Sequence, residues 1–308
     1  DLITSPLITA LNEPPEGDTS WIEPGLAAWH WWSGSIVGNK PKRMSTDMLR
    51  HYVDFAAEYG FRYALVDVGW YGPTQGAEAD VTTPIAAVNI EELVRYASAR
   101  DVGILLWAHW RPLRRQLEAA LDRFKSWGVK GIKVDFMSRD DPEMVDFYHR
   151  LLQETQERHL VVNLHGAYKP TGIRRTYPHL LTREAVRGLE YNKIDGPVRP
   201  EHNVILPFTR MITGPMDYTP GAFDTVRPRA FIERSENPMA VGTRAHQLAM
   251  YVVYESSLQM VSDHPSAYRG EIGGEFFKRV PTSWDETQVI DGRIGTHVAI
   301  ARRRGQKW

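Results

Sequence analysis

The sequence predicts a (β/α)8 barrel, and three observations carry that expectation. Short apolar strands alternate with amphipathic helices over about 260 residues, the order that builds a parallel sheet closed on itself. Polar residues recur where those strands end, the face on which such barrels keep their active sites. The first strand runs into Trp31-Trp32-Ser33-Gly34, whereas a doubly wound nucleotide-binding sheet would place a glycine-rich phosphate turn there.

The elements follow in order. Residues 1–24, rich in proline and without periodicity, read as a linker or N-terminal arm, and the barrel is expected over 25–282. Gly25 to Trp32 is the first strand. Thr46 to Tyr59 is a helix with Leu49, Val53 and Ala56 on one stripe and Gly60 as its stop. Arg62 to Val68 is the second strand; Asn89 caps a helix through Ala99, and Val102 to Ala108 is the third strand. Pro112 opens a helix with Leu113, Leu117, Ala120, Leu121 and Phe124 at helical spacing. It leads into Lys130 to Met137, KGIKVDFM, the fourth strand. Asp141-Pro142 then reads as the N-cap and first residue of a helix to Arg158. Leu160 to Leu164 is the fifth strand, and the long run His165 to Tyr177 is loop, of a length that usually carries function. Leu180 to Thr182, Gly214 to Tyr218 and Leu258 to Ser262 complete the eight, with a helix over Thr243 to Ser256 between the last two. The segment 283–308 reads as the beginning of a C-terminal β-domain.

Composition narrows the function. A 308-residue chain with 42% hydrophobic residues buries a large core. A net charge of −1, with Lys and Arg scattered apart from Arg302 to Arg304, argues against nucleic acid as a partner. The chain has no cysteine, so thiolate metal sites and disulfides are excluded. No apolar run is long enough to span a membrane. Ten tryptophans, several beside polar residues at strand ends, suit a sugar cleft as well as a core.

The fourth strand holds the strongest chemical signal. Residues two apart share a face, so Lys133 and Asp135 point into the barrel together while Ile132, Val134 and Phe136 are expected to pack outward against helices. An ammonium and a carboxylate in an apolar strand are costly without a purpose, and Lys133 beside Asp135 would keep it ionised, as a nucleophile requires. The other strand ends offer His30 and Trp32, Asp67 and Trp70, His109 and Arg111, Asn163 and His165, Glu184 and Glu190, Asp217, Asp263 and His264. Carboxylates dominate, which suits glycoside hydrolysis, where one carboxyl attacks or guides water and another protonates the leaving oxygen. A single strand-end acid is often only solvated, and nothing intrinsic ranks Glu184 against Glu190. Two acids at this spacing also suit a hard cation, calcium in particular. A zinc site on His30, His109 and His165 lacks the usual HxH or HExxH spacing.

KGIKVDFM, HGAYKPTGIRRTYPHLLTREAVRGLEYNK, GPMDYTPGAF and GTRAHQLAMYVVYESSLQM together resemble the catalytic barrel of glycoside hydrolase family 97. The resemblance implies an N-terminal β-sandwich before the barrel, a C-terminal β-domain after it, and action on α-glucosides or α-galactosides with a calcium ion. It implies that Asp135 matches the nucleophile of the retaining members and Glu190 their acid/base. Inverting members place a base glutamate directly after the histidine of His165-Gly166, so Gly166 departs from that pattern. Glu184 and Glu190 match calcium ligands, a further ligand coming from the absent sandwich. Lys133, Asp67, His109 and His165 would hold sugar hydroxyls, and Trp70 or Trp32 would stack on the ring. The expectation is a retaining, exo-acting α-galactosidase, periplasmic or extracellular, acting on oligosaccharide or polysaccharide α-galactosides. The alternatives are an α-glucosidase of the same family and a noncatalytic sugar-binding barrel.

Overall fold

The computed structural model describes residues 3–308. Its centre is a nearly closed barrel of parallel strands: β1 (Gly25–Trp29), β2 (Tyr63–Val66), β3 (Gly103–His109), β4 (Gly131–Asp135), β5 (Val161–Leu164), β6 (Leu180–Arg183) and β7 (Leu258–Val261). They pair in the order β7-β1-β2-β3-β4-β5-β6. The longer helices outside are α1 (Thr46–Tyr59), α2 (Ile90–Ser98), α3 (Leu117–Trp127), α4 (Pro142–Glu157) and α5 (Arg244–Val253). Helix ends follow local chemistry: Ser45, Asn89, Asp141 and Thr243 each accept a backbone N–H from the first turn, and Gly60 and Gly128 close α1 and α3 in the left-handed conformation. No helix among the described residues is long and apolar enough to cross a membrane.

Period-two alternation divides the core in two. Ala27, Trp29, Tyr63, Leu65, Leu105 and Val161 fill the barrel; Ala28, Ala64, Val66, Ile104, Leu106, Ile132 and Val134 pack in the layer under the helices. The same alternation sets the polar residues at the strand ends facing inward.

Three expectations are corrected. Gly214–Tyr218 is not a ladder strand. It lies between β6 and the segment before β7, with the Met216 N–H on the Glu255 carbonyl (2.9 Å) and the Asp217 N–H on the Arg183 carbonyl (3.0 Å). Gly214 sits at φ +131° and Pro215 has no N–H to give, so no regular ladder forms there. The helix expected from Pro112 starts at Trp110 and breaks at Gln116, whose side chain instead accepts the Val81 N–H (3.1 Å). And β4 stops at Asp135: Phe136 turns left-handed (φ +66°) and is 58% exposed, so it does not pack under the helices.

Residues before β1 cross the surface near β5 and β6, with Asn12 Nδ2 donating to the Thr171 carbonyl (2.8 Å) and Trp21 stacked on His159 (4.8 Å). At the other end β8 (Glu286–Arg293) and β9 (His297–Arg303) form an antiparallel hairpin, tied to α5 by Arg302 on the Val253 carbonyl (3.1 Å).

Candidate active site

Strand register assembles the site. Trp107 pairs with Lys133 and His109 with Asp135 across β3 and β4, and Lys133 pairs with Asn163 across β4 and β5. Lys133 and Asp67, both 2% exposed, meet at 3.1 Å. The Trp29 indole N–H also donates to Asp67 Oδ2 (2.8 Å), and the Asp67 N–H donates to His30 Nε2 (3.0 Å). Burial alone would raise the Asp67 carboxyl, but the Lys133 ammonium and the donors around it hold it below its ordinary value. Burial likewise acts against a charged Lys133, and Asp67, Glu190 and Asp135 outweigh it, so the ammonium is held well above its ordinary range.

Lys133 Nζ makes its contact ion pairs with Asp67 and, at 3.8 Å, with Glu190 Oε1; toward Asp135 it acts through space and not by direct contact. Asp135 is held by neutral donors, the Trp107 indole on Oδ2 (3.0 Å) and the Phe136 amide on Oδ1 (2.6 Å).

A second cluster faces it. His165 is buried, its Nε2 2.7 Å from Asp217 Oδ2, which also accepts from Asn163 Nδ2 (2.6 Å). His165 Nδ1 faces Glu184 (3.8 Å) and Glu190 (3.7 Å). Burial and Lys133 disfavour its cation, but Glu184 and Asp217 prevail and push its pKa up to about 9. Glu190, 16% exposed, is pushed up to about 7: burial is the largest cause, Glu184 and Asp135 add to it, and Lys133 and His165 oppose it. Its Oε1 is buried with no hydrogen-bond partner. The facing ligand atoms of His165, Glu184 and Glu190 lie within 4.8 Å of one another. At this end of the barrel five carboxyl groups (Asp67, Asp135, Glu184, Glu190, Asp217) stand against the cations Lys133 and His165, so the carboxylate oxygens of Glu184 and Glu190 and the excess negative charge fit a hard divalent cation.

Gly166 joins the two clusters. Its N–H donates to Glu184 Oε2 (2.7 Å), and its carbonyl accepts the Ser138 N–H from the turn that follows Asp135. It sits at φ +52°, and a Cβ there would lie 2.9 Å from both N and Cα of Phe136, so the turn leaves no space for a side chain at 166.

The family model for glycoside hydrolase 97 matches residues 31–186. The chain belongs to glycoside hydrolase family 97. It is 38% identical, along its whole length, to a retaining alpha-galactosidase of Bacteroides thetaiotaomicron, covering 47% of that protein. It is 40% identical over 94% of its length to a probable retaining alpha-galactosidase of Streptomyces bingchenggensis, covering 44% of it. The chain thus spans about half the length of the curated relatives it matches. Its structure resembles a family 97 enzyme in complex with acarbose from Pseudoalteromonas sp. strain K8, with TM-score 0.85, 31% identity, all of this chain and 52% of that one covered.

Within this family 97 barrel two sequence expectations fail on burial. Trp70 and Trp32 are fully buried. Trp70 packs edge-on to Tyr71, Phe124 and Trp127 and donates to the Trp107 carbonyl (2.7 Å), while Trp32 donates to the Leu189 carbonyl (3.3 Å). Neither offers a ring face to a sugar. His30, His109 and His165 do not converge as a metal centre: His30 Nδ1 meets Ser35 Oγ (2.9 Å) and His109 Nδ1 caps the Arg111 N–H (3.2 Å). Of the residues expected to hold sugar, Lys133, Asp67, His109 and His165 are each under 5% exposed; Asp135, Glu184 and Glu190 keep accessible surface. The sequence missed Trp29 and Trp107 as donors to the strand-end carboxylates. Their signal was available in the two-residue spacing that sets Trp107 on one face with His109.

Proposed function

We propose that the chain is the catalytic barrel of a retaining, exo-acting α-galactosidase that works by double displacement, with Asp135 as nucleophile and Glu190 as acid/base. The observation that carries this is the turn at Asp135, which presents an accessible carboxylate and fills the space over Gly166 where a base for inversion would stand. Asp135 attacks the anomeric carbon as the glycosidic C–O bond breaks, and Glu190, whose pKa is pushed up to about 7 so that its acid form persists above the ordinary carboxyl range, gives its proton to the departing oxygen. Glu190 then takes a proton from water, which displaces Asp135 and returns the α-configuration. Lys133, fixed between Asp67 and Glu190, keeps a positive charge beside the acid. Galactose as the glycone is supported by the two curated relatives' names.

Glu184 and Glu190 would hold a calcium ion, supported by the unpartnered Glu190 Oε1 and the uncompensated carboxylates around it. Such a cation, when bound, would neutralise that cluster and orient sugar hydroxyls. Segments outside this chain, an N-terminal β-sandwich among them, would complete its ligand set.

The test is proton NMR of the sugar released from an aryl α-galactoside in the first minutes, before mutarotation. α-Galactose appearing first is the expected result. β-Galactose first would remove Asp135 as nucleophile, and faster release from the matching α-glucoside would change the glycone.

A further inference from the structure

We propose that Trp107 is a positioning residue for Asp135, fixing the rotation of the carboxylate through its indole N–H. The proposal rests on the assignment of Asp135 as the nucleophile.

Two tryptophans in this barrel donate to strand-end carboxylates, and the two pairs differ in one respect. Trp29 donates to Asp67, which is 2% exposed and also in contact with Lys133. That carboxylate is neutralised by a contact ion pair and closed to solvent. Trp107 donates to Asp135 (3.0 Å), whose other oxygen accepts the Phe136 amide (2.6 Å). A neutral N–H fixes geometry and satisfies one lone pair without taking up the negative charge, which a charge-assisted partner would hold more tightly. Asp135 is thereby held at both oxygens by donors that carry no formal charge.

The donor is itself immobilised. Trp107 is 2% exposed. Its ring lies over Tyr71 (6.0 Å between centroids, 20° between planes), its edge meets Phe136 (6.3 Å), and its carbonyl accepts Trp70 Nε1 (2.7 Å). The Tyr71 hydroxyl in turn accepts the His109 N–H (3.0 Å). The Phe136 amide, next in the chain, donates to Asp135 Oδ1 (2.6 Å) at the entry to the left-handed turn. The buried Trp70 thus acts on the site from a distance, as the residue that fixes the strand segment from which Trp107 reaches Asp135.

The experiment is a pair of backgrounds. In the wild-type background Trp107→Phe, which removes the N–H and keeps an aromatic ring, is expected to lower kcat about 10- to 100-fold with KM within about twofold, the loss of a group that aims the nucleophile. Incorporating 3-benzothienylalanine at 107, isosteric and without an N–H, controls for packing and should reproduce that loss at unchanged thermal midpoint. In an Asp135→Gly background with azide as the external nucleophile, Trp107→Phe should change the rescued rate of β-galactosyl azide formation by less than about twofold, because no carboxylate remains to be aimed. Equal losses in both backgrounds would make Trp107 merely structural, and undiminished kcat in the wild-type background would overturn its role outright. Failure of azide to rescue Asp135→Gly at all is a different result. It removes the nucleophile assignment itself, and the role of Trp107 with it.

Discussion

The wall of the site is built in two ways. From β1 to β6 it is a parallel ladder; Lys133 and Asp135 project from it in positions set by strand register, and Asp67 follows directly on the end of β2. Between β6 and β7 the ladder is interrupted, and Glu184, Glu190 and Asp217 come from irregular backbone with left-handed residues at Ala185 and Thr219. Besides isolated backbone bonds such as the Asp217 N–H on the Arg183 carbonyl, a side chain holds that seam. The Arg210 guanidinium donates to the carbonyls of Arg183 (3.1 Å), Glu184 (2.9 Å), Ala185 (2.9 Å), Gly214 (3.0 Å) and Pro215 (2.9 Å). A planar fork with five donors bridges two backbone segments that no ladder joins. The comparison teaches that the proposed nucleophile and the proposed acid are positioned by different physics, one by cooperative sheet pairing and the other by local, separable contacts.

Lys133 connects the two arcs, and removing it should break them furthest. It is buried between Asp67 on the ladder and Glu190 on the seam, so Lys133→Met leaves two carboxylates without their ammonium. Loss of one member of a buried ion pair costs about 3–5 kcal/mol, and urea unfolding should show a loss of that size together with loss of turnover. A change near 1 kcal/mol would mean that the group behaves like a surface pair and that the arcs are joined by something else.

The division also marks what the sequence could reveal. Helix α1 occupies the residues its apolar stripe and Gly60 predict, and Asp141-Pro142 starts α4 as its capping chemistry requires. These signals are local. The inward placement of Lys133 and Asp135 followed from a two-residue period. Phe136 escaped that logic because its conformation is set by Gly166, thirty positions on, whose missing side chain admits the turn. Trp70 reads as a platform because sequence gives the end of a strand but not the direction of the ring beyond it. Asn163 and Asp217 stood among the strand-end candidates, yet the pairing of Asp217 with His165 depends on a seam that has no periodic pattern to read. Spacing alone left Glu184 and Glu190 equal, and only the family resemblance implied the roles proposed for them.

A milder perturbation sharpens the contrast. Arg210→Met removes the donors to the seam carbonyls while touching no strand ladder. Hydrogen bonds from a charged donor are worth about 1.5–3 kcal/mol net, and a global loss toward the lower end is expected because some carbonyls regain water. The informative readout is amide exchange. Protection should fall at residues 185–218 and persist at Leu105 and Leu106, where β3 pairs on both sides. Uniform loss across both regions would show that seam and ladder open as one unit.

The smallest effect is a matter of pH, and its sign differs between the arcs. Glu190 on the seam has its pKa pushed up from 4.5 to about 7, so folding takes up a proton between those values. The stability it contributes is complete below about pH 4.5 and is lost as pH rises through about 7. Asp67 on the ladder is held below 3.8; its contribution is present above that value and is lost as pH falls through the lower one. Stability should therefore decline on both sides of a mildly acidic optimum, with Asp67→Asn reducing an acid limb that His30, lowered by burial to about 4, shares, and Glu190→Gln reducing the part of the alkaline limb that lies below the loss His165 contributes near 9. Turnover follows Glu190 alone on the alkaline side, because only its protonated form can donate to the leaving oxygen. In chelator kcat/KM should fall with an apparent pKa near 7. Added calcium, by favouring the carboxylate, should move that limb to lower pH. A limb that stays in place with and without the ion would separate Glu190 from the metal and leave the seam's acid tuned by burial and its neighbours alone.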